Sequence, residues 1–154
     1  MPTKAAPLDQ PASPKFDHSS IYAKGEGVSQ DDAEAVRWFR LAAEQGDAEA
    51  QYNLGLIFVT GTDVPQDDTV AAKWFRLAAD QGRYEAQFRL ACMYEAGFGV
   101  PQDYVLAHMW FNLAVAVGGK DAVSRRDEVA ERMTLDQINE AQRLAREWKP
   151  KAER

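Results

Sequence analysis

WFRLAAEQG at residues 38–46, WFRLAADQG at 74–82 and WFNLAVAVG at 110–118 are three copies of one segment, spaced 36 residues apart. The register extends beyond them. Gly25, Gly61 and Gly97 keep the same spacing, as do Gly46, Gly82 and Gly118, and Asp31, Asp67 and Asp103. A fixed period of this length means stacked modules that share a continuous core, not one closed globule.

Each module reads as two helices. In the second copy Asp67 stands just before a periodic run and can cap it with its carboxylate. Ala71, Trp74, Phe75 and Ala78 follow at spacings of three and four and form one apolar stripe. Gly82 ends the run, because glycine adopts a left-handed backbone at little cost. In the first copy Asp31 and Glu34 have the spacing of a capping box. Pro65 and Pro101 stop the preceding segment two residues before each Asp. The other helix of the module is AEAQYNLGLIFVTG at 48–61, repeated as YEAQFRLACMYEAG at 84–97. Ala50, Leu54, Ile57 and Phe58 align with Ala86, Leu90, Met93 and Tyr94. Gly55, aligned with Ala91, costs up to ~1 kcal/mol inside a helix and predicts a close approach by a neighbour.

The ends differ from the middle. Pro2, Pro7, Pro11 and Pro14 crowd the first residues, so 1–15 reads as a disordered tail. Residues 16–46 form a partial repeat with a short or frayed first helix that keeps only Phe16, Ile21 and Tyr22 of the pattern. Full repeats occupy 47–82 and 83–118. A cap at 119–149 starts as a fourth copy but places Arg126 where Leu90 would stand. Thr134 and Gln137 mark one more helix start, and Leu135, Ile138, Ala141, Leu144, Ala145 and Trp148 make its apolar stripe. That helix is expected to cover the open end of the stack.

Composition bounds the function. The net charge is −6, and no Lys/Arg run supplies the basic field that nucleic acid requires. The acidity is read as a solvated surface or as a face for a basic partner. Cys92 is the only cysteine, so no intrachain disulfide forms. No stretch is long and apolar enough to span a bilayer, and residues 1–20 hold no signal-peptide core. For a complete chain this points to the cytoplasm and away from membranes.

The motif A-x-A-Q-x-x-L-G, an aromatic, G-x-x-V-P-Q-D and A-x-x-W-F-x-L-A-A-x-Q-G resembles the Sel-one-like repeat (SLR), a relative of the tetratricopeptide repeat. It is carried by Ala48, Ala50, Gln51, Leu54, Gly55, Phe58, Gly61, Val64, Pro65, Gln66, Asp67, Ala71, Trp74, Phe75, Leu77, Ala78, Ala79, Gln81 and Gly82. The resemblance covers about residues 21–122. It implies an all-α, right-handed superhelix of antiparallel helix pairs that serves as an adaptor or scaffold, with no shared catalytic residues. Members with a disulfide in each repeat differ from this chain.

Few residues suggest chemistry. Neither G-x-S-x-G nor S-x-x-K occurs, and Gly25-Glu26-Gly27 and Gly97-Phe98-Gly99 fall at helix-to-helix turns. Cys92 reads as a small, buried or half-buried apolar residue. His18 reads as exposed, and His108, at the Val36 and Ala72 position, as a surface or boundary residue. Together they make no metal site, and no cofactor is implied. The repeated tryptophans read as large buried knobs. Asn53, Arg89 and Arg125 occupy equivalent places off the apolar stripe and should be exposed. They form either a solvated face or a polar ladder for peptide carbonyls and carboxylates. Tyr52 and Phe88 flank them and either contact a ligand or pack between repeats. The expected function is therefore a non-catalytic, monomeric module that binds a protein or an extended peptide. The alternative is a structural or regulatory fragment that self-associates or pairs with another repeat chain.

Overall fold

The structure is a computed structural model that describes residues 29–151, with side chains from residue 33. The tail at 1–15, the first partial helix with His18, and the Gly25-Glu26-Gly27 turn lie outside these residues. Among the described residues there are seven helices and no strand. They are α1 Ser29–Glu44, α2 Ala48–Thr60, α3 Asp68–Asp80, α4 Tyr84–Ala96, α5 Tyr104–Ala116, α6 Lys120–Ala130 and α7 Leu135–Glu147. From α1 to α6 each helix packs on the next, and α7 packs on α5.

The helix ends follow the sequence signals. Asp67 accepts a hydrogen bond from the Val70 N–H at 3.1 Å, and Asp103 does the same for Leu106 at 3.1 Å. Asp47 caps α2 through the Ala50 N–H at 2.9 Å. Gly82 has φ +94°, and the Arg83 N–H beyond it returns to the Ala78 carbonyl, closing the end of α3. Thr134 and Gln137 form the reciprocal capping box of α7. The first repeat differs: the chain is already helical at Ser29, so Asp31 lies within α1, not ahead of it.

Burial corrects the reading of the tryptophans. The fully buried knobs are Phe39, Phe75 and Phe111, each at 0% exposure, one residue after each Trp. Trp38 and Trp74 are only half-buried. Neighbouring helices enclose the Phe side of the helix, whereas the Trp side faces the rim of the stack. Trp110 alone is buried, because α7 supplies a lid: Trp148 meets it edge-on at 6.1 Å. The cap thus works by lying along α5. The outer side of α6 presents Asp121, Val123, Ser124, Asp127 and Glu128 to solvent. Gly55 is explained by Phe75, whose ring would lie 2.6 Å from a Cβ placed there.

Glutamines tie the repeats together. Gln51 is buried and donates from Nε2 to the Ala43 carbonyl at 3.1 Å; Gln87 reaches the Ala79 carbonyl at 3.3 Å in the same way. Gln81 bridges to the previous repeat, donating to the Gly46 carbonyl at 2.9 Å and to Gln51 Oε1 at 3.0 Å. In the third repeat Val117 stands at the Gln81 position, and Gln87 Oε1 is left buried with no hydrogen-bond partner among the described residues.

Candidate functional site

A groove of about 620 Å³ lies on the side carried by α2, α4 and α6. Apolar atoms of Val59, Phe75 and Met93 contribute to its lining, and Phe98 projects at its rim with 61% exposure. Arg89 on α4, Arg125 on α6 and Arg132 beyond α6 bring three cations to it, against the carboxylates of Asp68 and Glu95. An acidic chain therefore carries a locally basic groove.

The three arginines are not equivalent. Arg125 is held in place: it donates to Glu95 at 2.8 Å, lies 3.8 Å from Glu128, and sits over the rings of Phe88 (5.8 Å) and Phe111 (5.4 Å). Burial works against its charge, but the hydrogen bond to Glu95 and the nearby acids raise its pKa overall. Arg89 and Arg132 are exposed and form no ion pair among the described residues. These two are the groove's available donors. Cys92 also lines it, half-buried. Burial raises the thiol's pKa against the opposing pull of Arg125, which keeps it protonated and a poor nucleophile.

The structure brings Arg89 and Arg125 to one groove but separates Asn53 from it. Asn53 was expected to be exposed and is 6% exposed. The reason is its place in the middle of the stack: α2 is packed on several sides, and Ala50, Gln51, Asn53, Leu54, Gly55 and Ile57 are all buried. Arg125, also expected to be open, is half-buried and paired. Tyr52 and Phe88 pack between repeats, Tyr52 on Phe75 at 5.7 Å and Phe88 on Phe111 at 5.5 Å. Arg83 lies over Tyr52 at 5.6 Å, as Arg125 lies over Phe88.

His108 also departs from expectation. It is 4% exposed, with Nδ1 unpartnered among the described residues. Its aligned residues Val36 and Ala72 are buried too, at 7% and 4%, so the repeat carried the signal. Burial first, and Arg126 second, push the imidazole pKa down, while Asp127 opposes them. Arg132 and Phe98 escaped the sequence reading. Phe98 could have been found as a large apolar residue between two turn glycines, at a place held by Thr62 in the previous copy. Among the described residues there is no group of three or more potential metal ligands, and no helix is long and apolar enough to cross a membrane.

Comparison with known proteins agrees with the repeat fold. The Sel1 repeat model matches residues 16–47, 48–82 and 85–118. One similar solved structure is a protective antigen of uropathogenic Escherichia coli strains that displays an SLR fold. It is 31% identical, with a TM-score of 0.84 over 93% of this chain and 30% of that one. Another is a Sel1 repeat protein from Oxalobacter formigenes, 40% identical, with a TM-score of 0.66 over 74% of this chain and 86% of its own. The chain therefore spans less than a third of the E. coli antigen. No curated protein sequence matches.

Proposed function

This chain belongs to the Sel1 repeat family, whose members generally bind other proteins, and from that premise we propose that it is a non-catalytic adaptor holding an acidic peptide segment in the arginine groove. One observation carries the reading: Arg89 and Arg132 stand exposed beside apolar lining atoms and form no ion pair among the described residues, with Phe98 at the rim. Guanidinium groups with no internal partner suit carboxylates, which they hold with two parallel hydrogen bonds. Arg125, already bound to Glu95, stiffens the wall and leaves recognition to its neighbours. The apolar lining gives a peptide backbone side-chain contact between the charged ends.

The test is a comparison of immobilised acidic, neutral and basic peptides. Acidic peptides should be retained, and Arg89→Glu with Arg132→Glu should remove that preference. Each lost charged hydrogen bond is worth ~1.5–3 kcal/mol. Both residues are exposed, so melting should shift little. Equal retention of acidic peptides by the double variant would exclude this groove as the binding site.

A further inference from the structure

The segment after α7 makes a contact that the repeat allows to be translated. Trp148 covers Trp110 on α5, and three residues later Lys151 reaches the end of α3. Its backbone N–H donates to the Asp80 carbonyl at 2.7 Å, and its ammonium lies 3.5 Å from the Asp80 carboxylate. An aromatic side chain and a lysine thus bridge two adjacent repeats. One period towards the N-terminus, the partners of that contact are Trp74 for Trp110, Leu77 for Leu113 and Glu44 for Asp80. These three residues line a single groove of about 420 Å³ between α1 and α3, and Asp80 and Lys151 line its other end.

Where the segment lies, the surface is closed: Trp110, Leu113 and Asp80 are 1%, 8% and 6% exposed. Where it does not, Leu77 is 46% exposed, Trp74 is half-buried, and Glu44 is exposed with no ion pair among the described residues. The same apolar step and the same acid at a helix end are present, without that cover among the described residues. A carboxylate at a helix C-terminus is unfavourable beside the helix dipole, and a cation there relieves it.

We propose that the α1–α3 groove is a docking site, separate from the arginine groove, for an amphipathic helix of a partner protein that ends in an aromatic residue with a lysine three positions on. The aromatic ring packs on Trp74 and Leu77, and the ammonium pairs with Glu44. The chain's own α7 is the template for that ligand, and it stays on α5.

A labelled peptide of residues 134–151, titrated into the full chain and followed by fluorescence anisotropy, tests this directly. Saturable binding is expected. Leu77→Glu in the full chain should weaken it about tenfold or more, as loss of a central contact does. Glu44→Lys should weaken it less, by an amount that shrinks with added salt. A peptide carrying Trp148→Ala should not bind. Leu77 is exposed, so unchanged melting of Leu77→Glu separates lost binding from lost folding. Arg89→Glu with Arg132→Glu should leave this peptide's affinity unchanged, which keeps the two grooves distinguishable. Absence of saturable binding would overturn the proposal. So would affinity unaffected by Leu77→Glu, since the peptide would then be displacing α7 from α5. Self-association of the unlabelled chain that disappears on Leu77→Glu would assign the groove to a second copy and overturn the partner reading.

Discussion

Trp74 and Trp110 occupy the same position in consecutive repeats, on helices with the same start, the same Asp cap and the same following Phe. One is half-buried at the rim and the other is 1% exposed. The difference comes from outside the repeat, in Trp148 after α7 and in Arg76 of the preceding repeat, whose guanidinium lies over the Trp110 ring at 5.7 Å. Within a solenoid, a repeated residue type states what a position can do, while the neighbouring element decides what it does. The largest effect should therefore come from removing the lid. Deleting residues 134–154 uncovers Trp110 and Leu113 together and opens an apolar patch of the kind that drives association. The shortened chain should melt well below the full chain and aggregate, as read by circular dichroism and light scattering. A soluble deletion of full stability would show that Trp110 does not depend on the cap.

Single substitutions sharpen the same contrast. Trp110→Ala should cost ~3–5 kcal/mol, the usual range for truncating a buried aromatic. Trp74→Ala should cost distinctly less, because part of its surface is already in water. Phe75→Ala should match Trp110→Ala, since Phe75 is fully enclosed. Urea midpoints of the three variants give the order. Equal losses at both tryptophans would mean that the α1–α3 rim is closed by something other than the described residues.

The architecture was legible because periodicity records core contacts repeated in every module. Helix pairs, the Asp67 and Asp103 caps, the Gly82 stop, the Thr134–Gln137 box and the close approach at Gly55 all follow from local chemistry that the sequence states outright, whereas Asp31 lies within its helix. The site was legible only in part. Arg89 and Arg125 share a groove, as their equivalence suggested, but Asn53 is buried. A helix enclosed on several sides hides residues that lie off its main stripe. Arg125's pairing with Glu95 spans 30 residues, a distance at which no local pattern speaks. His108 is buried although histidine is ordinarily a boundary residue, because position outweighs type. Its aligned Val36 and Ala72 already marked a buried place.

That histidine separates the third repeat from its neighbours in a pH-dependent way. Burial lowers its folded pKa below the ordinary 6.5, while in the unfolded chain it titrates normally. As the pH falls below 6.5, the unfolded state gains a proton that the folded state refuses, so stability declines until the lowered folded pKa is reached. His108→Val restores the residue type of the first repeat and should flatten this part of the stability–pH curve. The urea midpoint of both proteins between neutral and mildly acidic pH measures it. Parallel curves would show that His108 does not contribute.

The smallest effect is also the most specific to the repeat. Gln81 joins two modules through the Gly46 carbonyl and Gln51 Oε1, whereas Val117 at the equivalent position joins nothing and leaves Gln87 Oε1 orphaned. The two turns share two closing hydrogen bonds and differ in a third, the Gln81 N–H meeting the Ala78 carbonyl at 3.1 Å whereas the Val117 N–H turns to that of Val115. Gly82 N–H meets the Ala79 carbonyl as Gly118 N–H meets that of Val115, and Arg83 N–H meets the Ala78 carbonyl as Gly119 N–H meets that of Ala114. Backbone angles also agree, φ −89° and ψ 1° at Gln81 against φ −98° and ψ 17° at Val117. A glutamine at 117 therefore starts from the geometry that works at 81, and Val117 is 54% exposed, so little packing is given up. Val117→Gln should stabilise the chain by ~1 kcal/mol, the net value of a typical hydrogen bond, because it satisfies a buried acceptor. Gln81→Val should destabilise it by ~1–3 kcal/mol by orphaning Gln51. Thermal melts of the two variants and of the exchange double variant decide the matter. If Val117→Gln fails to raise the melting temperature while Gln81→Val lowers it, a glutamine at 117 does not reach Gln87 Oε1, and the third repeat's turn does not work as a copy of the second.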